Sequence, residues 1–207
     1  MKKILLLLFS LFLLSSPSVF AKDFSNFSIE GVSIGDSLLD YMTEDEILKE
    51  IEKNKDRFLN LNEPYKYIQV RVQKDYSIYD YITVYIQNNS SNKYVVDKNE
   101  KYIILSMRGY RRYIEDFDAC IKERDEIEEI LSSMFSNSQK IDVISEYRDD
   151  SSGNSKVDYV ALVFDSGAMI NIYCENLEET FRNRENLPEG LGVSIKPLEI
   201  VSWLQNY

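Results

Sequence analysis

The sequence predicts an α+β fold: antiparallel sheet of about six to seven strands in two three-strand meanders, each preceded by a helix, with the helices packed on one face. Three observations predict it. Thr43-Glu44-Asp45-Glu46 spells a helix capping box ahead of an apolar stripe. Six stretches alternate apolar and polar residues with period two. Those stretches come in runs, without the strand–helix–strand alternation that builds a parallel sheet. A hydrophobic content of 44% over 207 residues suffices for one sizeable core, so residues 22–207 are read as a single domain.

The elements follow in order. Residues 1–21 form an export signal: Lys2 and Lys3 lead an apolar run from Ile4 to Leu14, Pro17 breaks it, and Val19-Phe20-Ala21 is a small-residue cleavage site. The run is shorter than the roughly 20 residues a membrane span needs, and Lys22 rather than Cys follows the cut, so no lipid anchor is indicated. Gly31 to Gly35 is a turn feeding a short helix capped by Asp36 or Ser37. The helix after Thr43 carries Ile47, Leu48, Ile51, Phe58 and Leu59 on its stripe. Strands are expected at Tyr67–Gln73, Ser77–Gln87 and Tyr102–Arg108, then a long helix at Tyr113–Phe135, then strands at Ile141–Tyr147, Val157–Phe164 and Ala168–Cys174. Asp165-Ser166-Gly167 is a hairpin turn. A short strand at Leu191–Ile195 and a helix opened by Pro197, presenting Ile200, Val201, Trp203 and Leu204, end the chain.

Charge and cysteines bound the function. Signal cleavage removes two lysines and no acid, leaving 22 bases against 35 acids. So negative a surface repels nucleic-acid phosphates and anionic headgroups, so neither nucleic acid nor stable membrane insertion is expected. After export to the periplasm or the exterior, Cys120 and Cys174 can oxidise. Cys120 shares the helical stripe of Phe117, Ile127, Leu131 and Met134, and Cys174 alternates onto the face of Ile170 and Ile172. Both thiols face apolar layers; either they bridge, stabilising the fold by about 4 kcal/mol, or they are two separately buried thiols.

No catalytic constellation emerges. Gly31-x-Ser33-x-Gly35 matches a nucleophile elbow, but the chain has no histidine to act as base, and the glycines read as turn formers. Ser90-x-x-Lys93 is a short pattern in a polar loop. Without histidine the commonest zinc and copper ligand is missing. The acidic loop Asp149–Asn154 has oxygen ligands, but its glycine is misplaced for a calcium loop and no Glu stands twelfth. No metal site and no cofactor are therefore expected. The acidic runs Glu44–Glu46 and Glu126–Glu129 read as helix-end and solvated charges.

Two features remain. Tyr79, Tyr81, Thr83 and Tyr85 alternate onto the strand face opposite Ile78, Ile82, Val84 and Ile86, and neighbouring strands extend that face with Tyr67, Gln69, Arg71, Ser106 and Arg108. This is either a Tyr and Arg platform for a protein, peptide or glycan of the cell envelope, or tyrosine serving as a good strand former. Arg124 projects near the centre of its helix's apolar stripe. A guanidinium there meets a carboxylate, snorkels to water or lines an anion-accepting cleft.

The segments GVSIGDSLLDYMTEDEI (31–47), DACIKERDEI (118–127) and DSSGNSKVDYVALVF (150–164) resemble a family of small secreted proteins of marine bacteria. That family carries no assigned activity, so the resemblance implies export and shared architecture. The helix-helix-meander order is similar, more remotely, to small outer-membrane assembly lipoproteins and β-lactamase-inhibitor-like modules, a likeness of fold only. The expected function is a non-enzymatic periplasmic or secreted binding module. The alternative is a carboxylate-dependent, glycosidase-like hydrolase.

Overall fold

In the computed structural model, residues 24, 27–88, 97 and 100–205 are described. The expected export signal and Ser90-x-x-Lys93 lie outside them. Local signals act first. A two-stranded hairpin pairs β1 (Ser28–Ile29) with β2 (Val32–Ser33). Ser37, one of the two expected caps, accepts from the Leu39 amide at 3.2 Å and opens a 3-10 turn at Leu38–Asp40. The capping box forms as spelled: the Thr43 hydroxyl accepts from the Glu46 amide, and the Glu46 carboxylate accepts from the Thr43 amide at 2.8 Å, starting α1 (Glu44–Asn54). Phe58 and Leu59 fall beyond the end of that helix.

Seven strands make one antiparallel sheet: β3 (Tyr67–Val72), β4 (Tyr81–Gln87), β5 (Ile104–Arg112), β6 (Gln139–Glu146), β7 (Lys156–Val163), β8 (Met169–Asn176) and β9 (Gly190–Lys196). Their order is β3-β4-β5-β9-β8-β7-β6. The two expected meanders are therefore joined edge to edge by the last strand, which pairs with β5 on one side and β8 on the other. The mixed α+β class read from the sequence holds.

One sheet face carries the main core. Val70, Val84, Met107, Val193, Ile172 and Leu162 are all 2% exposed or less, and α2 (Phe117–Met134) packs over β8 and β9. Cys120 and Cys174 are bonded with Cα atoms 6.0 Å apart, tying α2 to β8. Arg124 is 7% exposed and takes the carboxylate outcome: its Nε donates to Asp125 at 3.0 Å and its Nη1 is paired with Asp158. Asp158 stands opposite Cys174 in the register of β7 and β8, so covalent and ionic attachments of α2 lie side by side. Met134, at the frayed end of the stripe, is exposed.

The helices do not all share that face. α4 (Leu198–Gln205) crosses to the other side, where Ile200 and Trp203 form a second cluster with Leu61, Phe58, Tyr67 and Tyr85. Trp203 meets Tyr67 edge-on at 5.2 Å and donates from its indole nitrogen to the Glu63 carbonyl at 2.8 Å. Pro197 ends β9 and turns the chain, and the odd-numbered aromatics of β3 and β4 supply the surface α4 covers. A further helix, α3 (Glu179–Glu185), has no counterpart in the sequence reading; at 7 residues it is too short to show a period.

Candidate functional site

The face away from α2 is organised by register. Tyr81 stands opposite Tyr110, and Tyr110 and Tyr173 both stand opposite Gly192. One row over, Arg71, Thr83, Arg108, Ser194 and Asn171 follow across β3, β4, β5, β9 and β8. Tyr81 and Tyr110 stack with ring centres 5.2 Å apart, and the Arg71 guanidinium lies 4.5 Å over Tyr81. Because Gly192 has no side chain, the Tyr173 ring lies across its backbone: a Cβ there would stand 2.2 Å from Cζ of Tyr173. So placed, the Tyr173 hydroxyl accepts from Nη1 of Arg108 at 3.3 Å, and the Tyr110 hydroxyl donates to Glu175 at 2.8 Å.

Of these side chains Arg71, Tyr81, Thr83, Arg108, Tyr110 and Glu175 floor a cleft of about 420 Å³. Its walls are the end of α1 with Arg57 on one side and the loop Asn186–Pro188 after α3 on the other. A buried ion pair of Arg182 with Glu189 holds that loop, and the outward Arg71 amide of the edge strand donates to Glu50 at 3.2 Å. The cleft is electrostatically unfinished. Nε of Arg108 is shut off from solvent without a hydrogen-bond partner, as is the Ser194 hydroxyl beside it. A guanidinium stays charged under such conditions. Burial raises the pKa of Tyr81 and pushes Tyr173 up to about 12, so both phenols are neutral donors near pH 7. Burial likewise raises Glu175, against the Tyr110 hydrogen bond and the Arg108 charge, which favour its ionised form.

Of the six platform residues the sequence nominates, Arg71, Tyr81 and Arg108 come together here. The other three are corrected. Tyr67 and Tyr85 share the face but lie in the cluster under α4, against Trp203. Tyr79 is on the opposite face, because β4 starts only at Tyr81: the Ser77 and Ile78 amides are taken by Glu30, the alternation breaks, and Tyr79 packs against Gly109 while Ile78 is left exposed. Tyr110, Tyr173, Glu175 and Ser194 were missed. Tyr110 was within reach of the alternation two residues past Arg108; the others come from strands whose neighbours only the topology reveals.

The remaining motifs resolve as turns. Gly31 and Gly35 have φ of 80° and 91°, and the Ser33 amide donates to Asp36. Asp150 accepts from the amides of Ser152 and Ser155, closing the 149–155 loop on itself, and the Ser155 hydroxyl first and the Ser152 amide second hold its carboxyl at about 2. Among the described residues no cluster of three or more His, Cys, Asp or Glu is placed to hold a metal, and no helix is long and apolar enough to cross a membrane. Comparisons with protein families, curated proteins and solved structures found no match.

Proposed function

We propose that this chain is an exported binding module that captures a cell-envelope protein, peptide or glycan in the Tyr–Arg cleft, without turning it over. One observation carries the reading: Arg71 and Arg108 line an open cleft beside the stacked Tyr81–Tyr110 pair, with the Arg71 guanidinium over the Tyr81 ring. Stacked rings offer apolar area at low entropic cost, and arginines lining the cleft supply directional recognition. The N-terminal signal, the disulfide and the resemblance to secreted marine-bacterial proteins support the exported setting.

Native co-purification followed by mass spectrometry tests this. A Tyr81→Ser/Arg71→Ser variant, altered only at the cleft, should lose the partner, while Ile144→Ser on the outer strand β6 should keep it. Equal recovery with all three proteins would refute the placement.

A second reading, the carboxylate-dependent hydrolase, is favoured by one observation. Glu50 and Glu175 line the same cleft, and burial raises Glu175 in the direction a general acid requires. Glycan turnover that disappears in Glu175→Gln with binding retained would establish it instead.

A further inference from the structure

A second concavity, of about 460 Å³, lies on the same sheet face but beyond Tyr173, over β7, β8 and β9 and against the flank of α4. Its floor and wall are mostly apolar: Tyr159, Ala161, Met169, Val201 and Leu204 line it. Lys196 is its one lining cation. β9 alternation directs Lys196 to this face beside Met169, with which it is paired in register, and Pro197 then turns the chain into α4.

Lys196 is out of place for an apolar groove. Among the described residues it makes no ion pair and no side-chain hydrogen bond. Burial first, and the Arg108 charge second, hold it down to about 8. Glu175, which also borders the groove, is engaged by the Tyr110 hydroxyl on the cleft side. Lys196 is half-buried, and an ammonium with no ion-pair partner in a mostly apolar wall gains a charge-assisted contact from an incoming anion. The same anion gains by bringing an apolar body, because the rest of the lining is mostly hydrocarbon and ring, with Asn171, Glu175 and Gln205 as its other polar members. The volume is within the range of small-ligand sites, about 300–1,000 Å³.

We propose that this groove binds an amphiphilic carboxylate, its acyl chain lying over Ala161 and Met169 and its head group seated on Lys196. The site adjoins the Tyr–Arg cleft at Glu175 but does not depend on the function proposed for that cleft. The chemistry distinguishes it from a merely greasy surface, which would take a neutral chain equally well.

Calorimetric titration of the whole protein with laurate and with dodecanol, below their micellar or solubility limits, tests the assignment. Laurate should bind at least about tenfold more tightly than dodecanol, the worth of one charge-assisted contact. Lys196→Met should erase that preference and Lys196→Arg should retain it. Ala161→Phe, which fills the floor and leaves Lys196 in place, should abolish binding of both and serves if Lys196→Met does not fold. Equal affinity for the two ligands, laurate binding unchanged in Lys196→Met, or a dimer that shields the groove from laurate would each overturn the proposal.

Discussion

Gly192 is the residue on which the cleft turns. Any side chain there would meet the Tyr173 ring, which the missing Cβ allows to lie flat and reach Arg108. Gly192→Ala is therefore expected to cost about 1–3 kcal/mol through overpacking, read as a lower urea midpoint with unchanged slope. Gly192→Ala/Tyr173→Ala should be less destabilised than the sum of its single changes, since removing the ring removes the clash; strict additivity would show that the two do not meet. At this scale the sequence was partly legible. Period two assigns Arg71, Tyr81 and Arg108 correctly because each sits inside a regular strand. It fails at Tyr79, where Glu30 captures the backbone and interrupts the alternation. It says nothing of the room at Gly192, which depends on a neighbour 19 residues upstream in another strand.

At the level of elements, α2 is pinned to the sheet twice in one place, by Cys120–Cys174 and by Arg124 with Asp158. The cysteines are separated by 54 residues, so replacing both with serine should cost about 4 kcal/mol by the loop-entropy estimate. Arg124→Met should cost about 3 kcal/mol, because it strands the largely buried Asp158 without its partner. As Asp158 and Cys174 are directly opposed in register, the combined variant should deviate from additivity in denaturant titrations, whereas independent attachments would sum within about 0.5 kcal/mol. Helix periodicity gives the inward aim of both groups, since Cys120, Arg124, Ile127 and Leu131 recur on one stripe, while their partners Cys174 and Asp158 are supplied by the sheet. The helix α4 shows the opposite case. Its apolar residues announce that it docks, yet the side on which it docks is set by where Tyr67 and Tyr85 stand once the sheet exists.

For the molecule as a whole, β9 is the seam. Without it, β5 and β8 would each present an open edge and the two meanders would share little core. The full chain should unfold in one urea transition, with Trp203 fluorescence and far-ultraviolet circular dichroism coincident. A chain ending at Pro188, lacking β9 and α4, should show no cooperative transition; two separated transitions in the full chain would instead mean that the meanders fold as independent units. Helix caps, strand alternation, the missing histidine, the acidic balance and the inward aim of both cysteines are properties of a few consecutive residues or of composition, so they can be read before any folding. Strand order is different in kind. It depends on pairing between segments far apart in the chain, and it alone brings Tyr173, Glu175, Ser194 and Lys196 to the face that Arg108 and Tyr81 began. The cleft and the groove are products of that pairing, since a surface is assembled from side chains that share a face of the sheet without sharing a stretch of sequence.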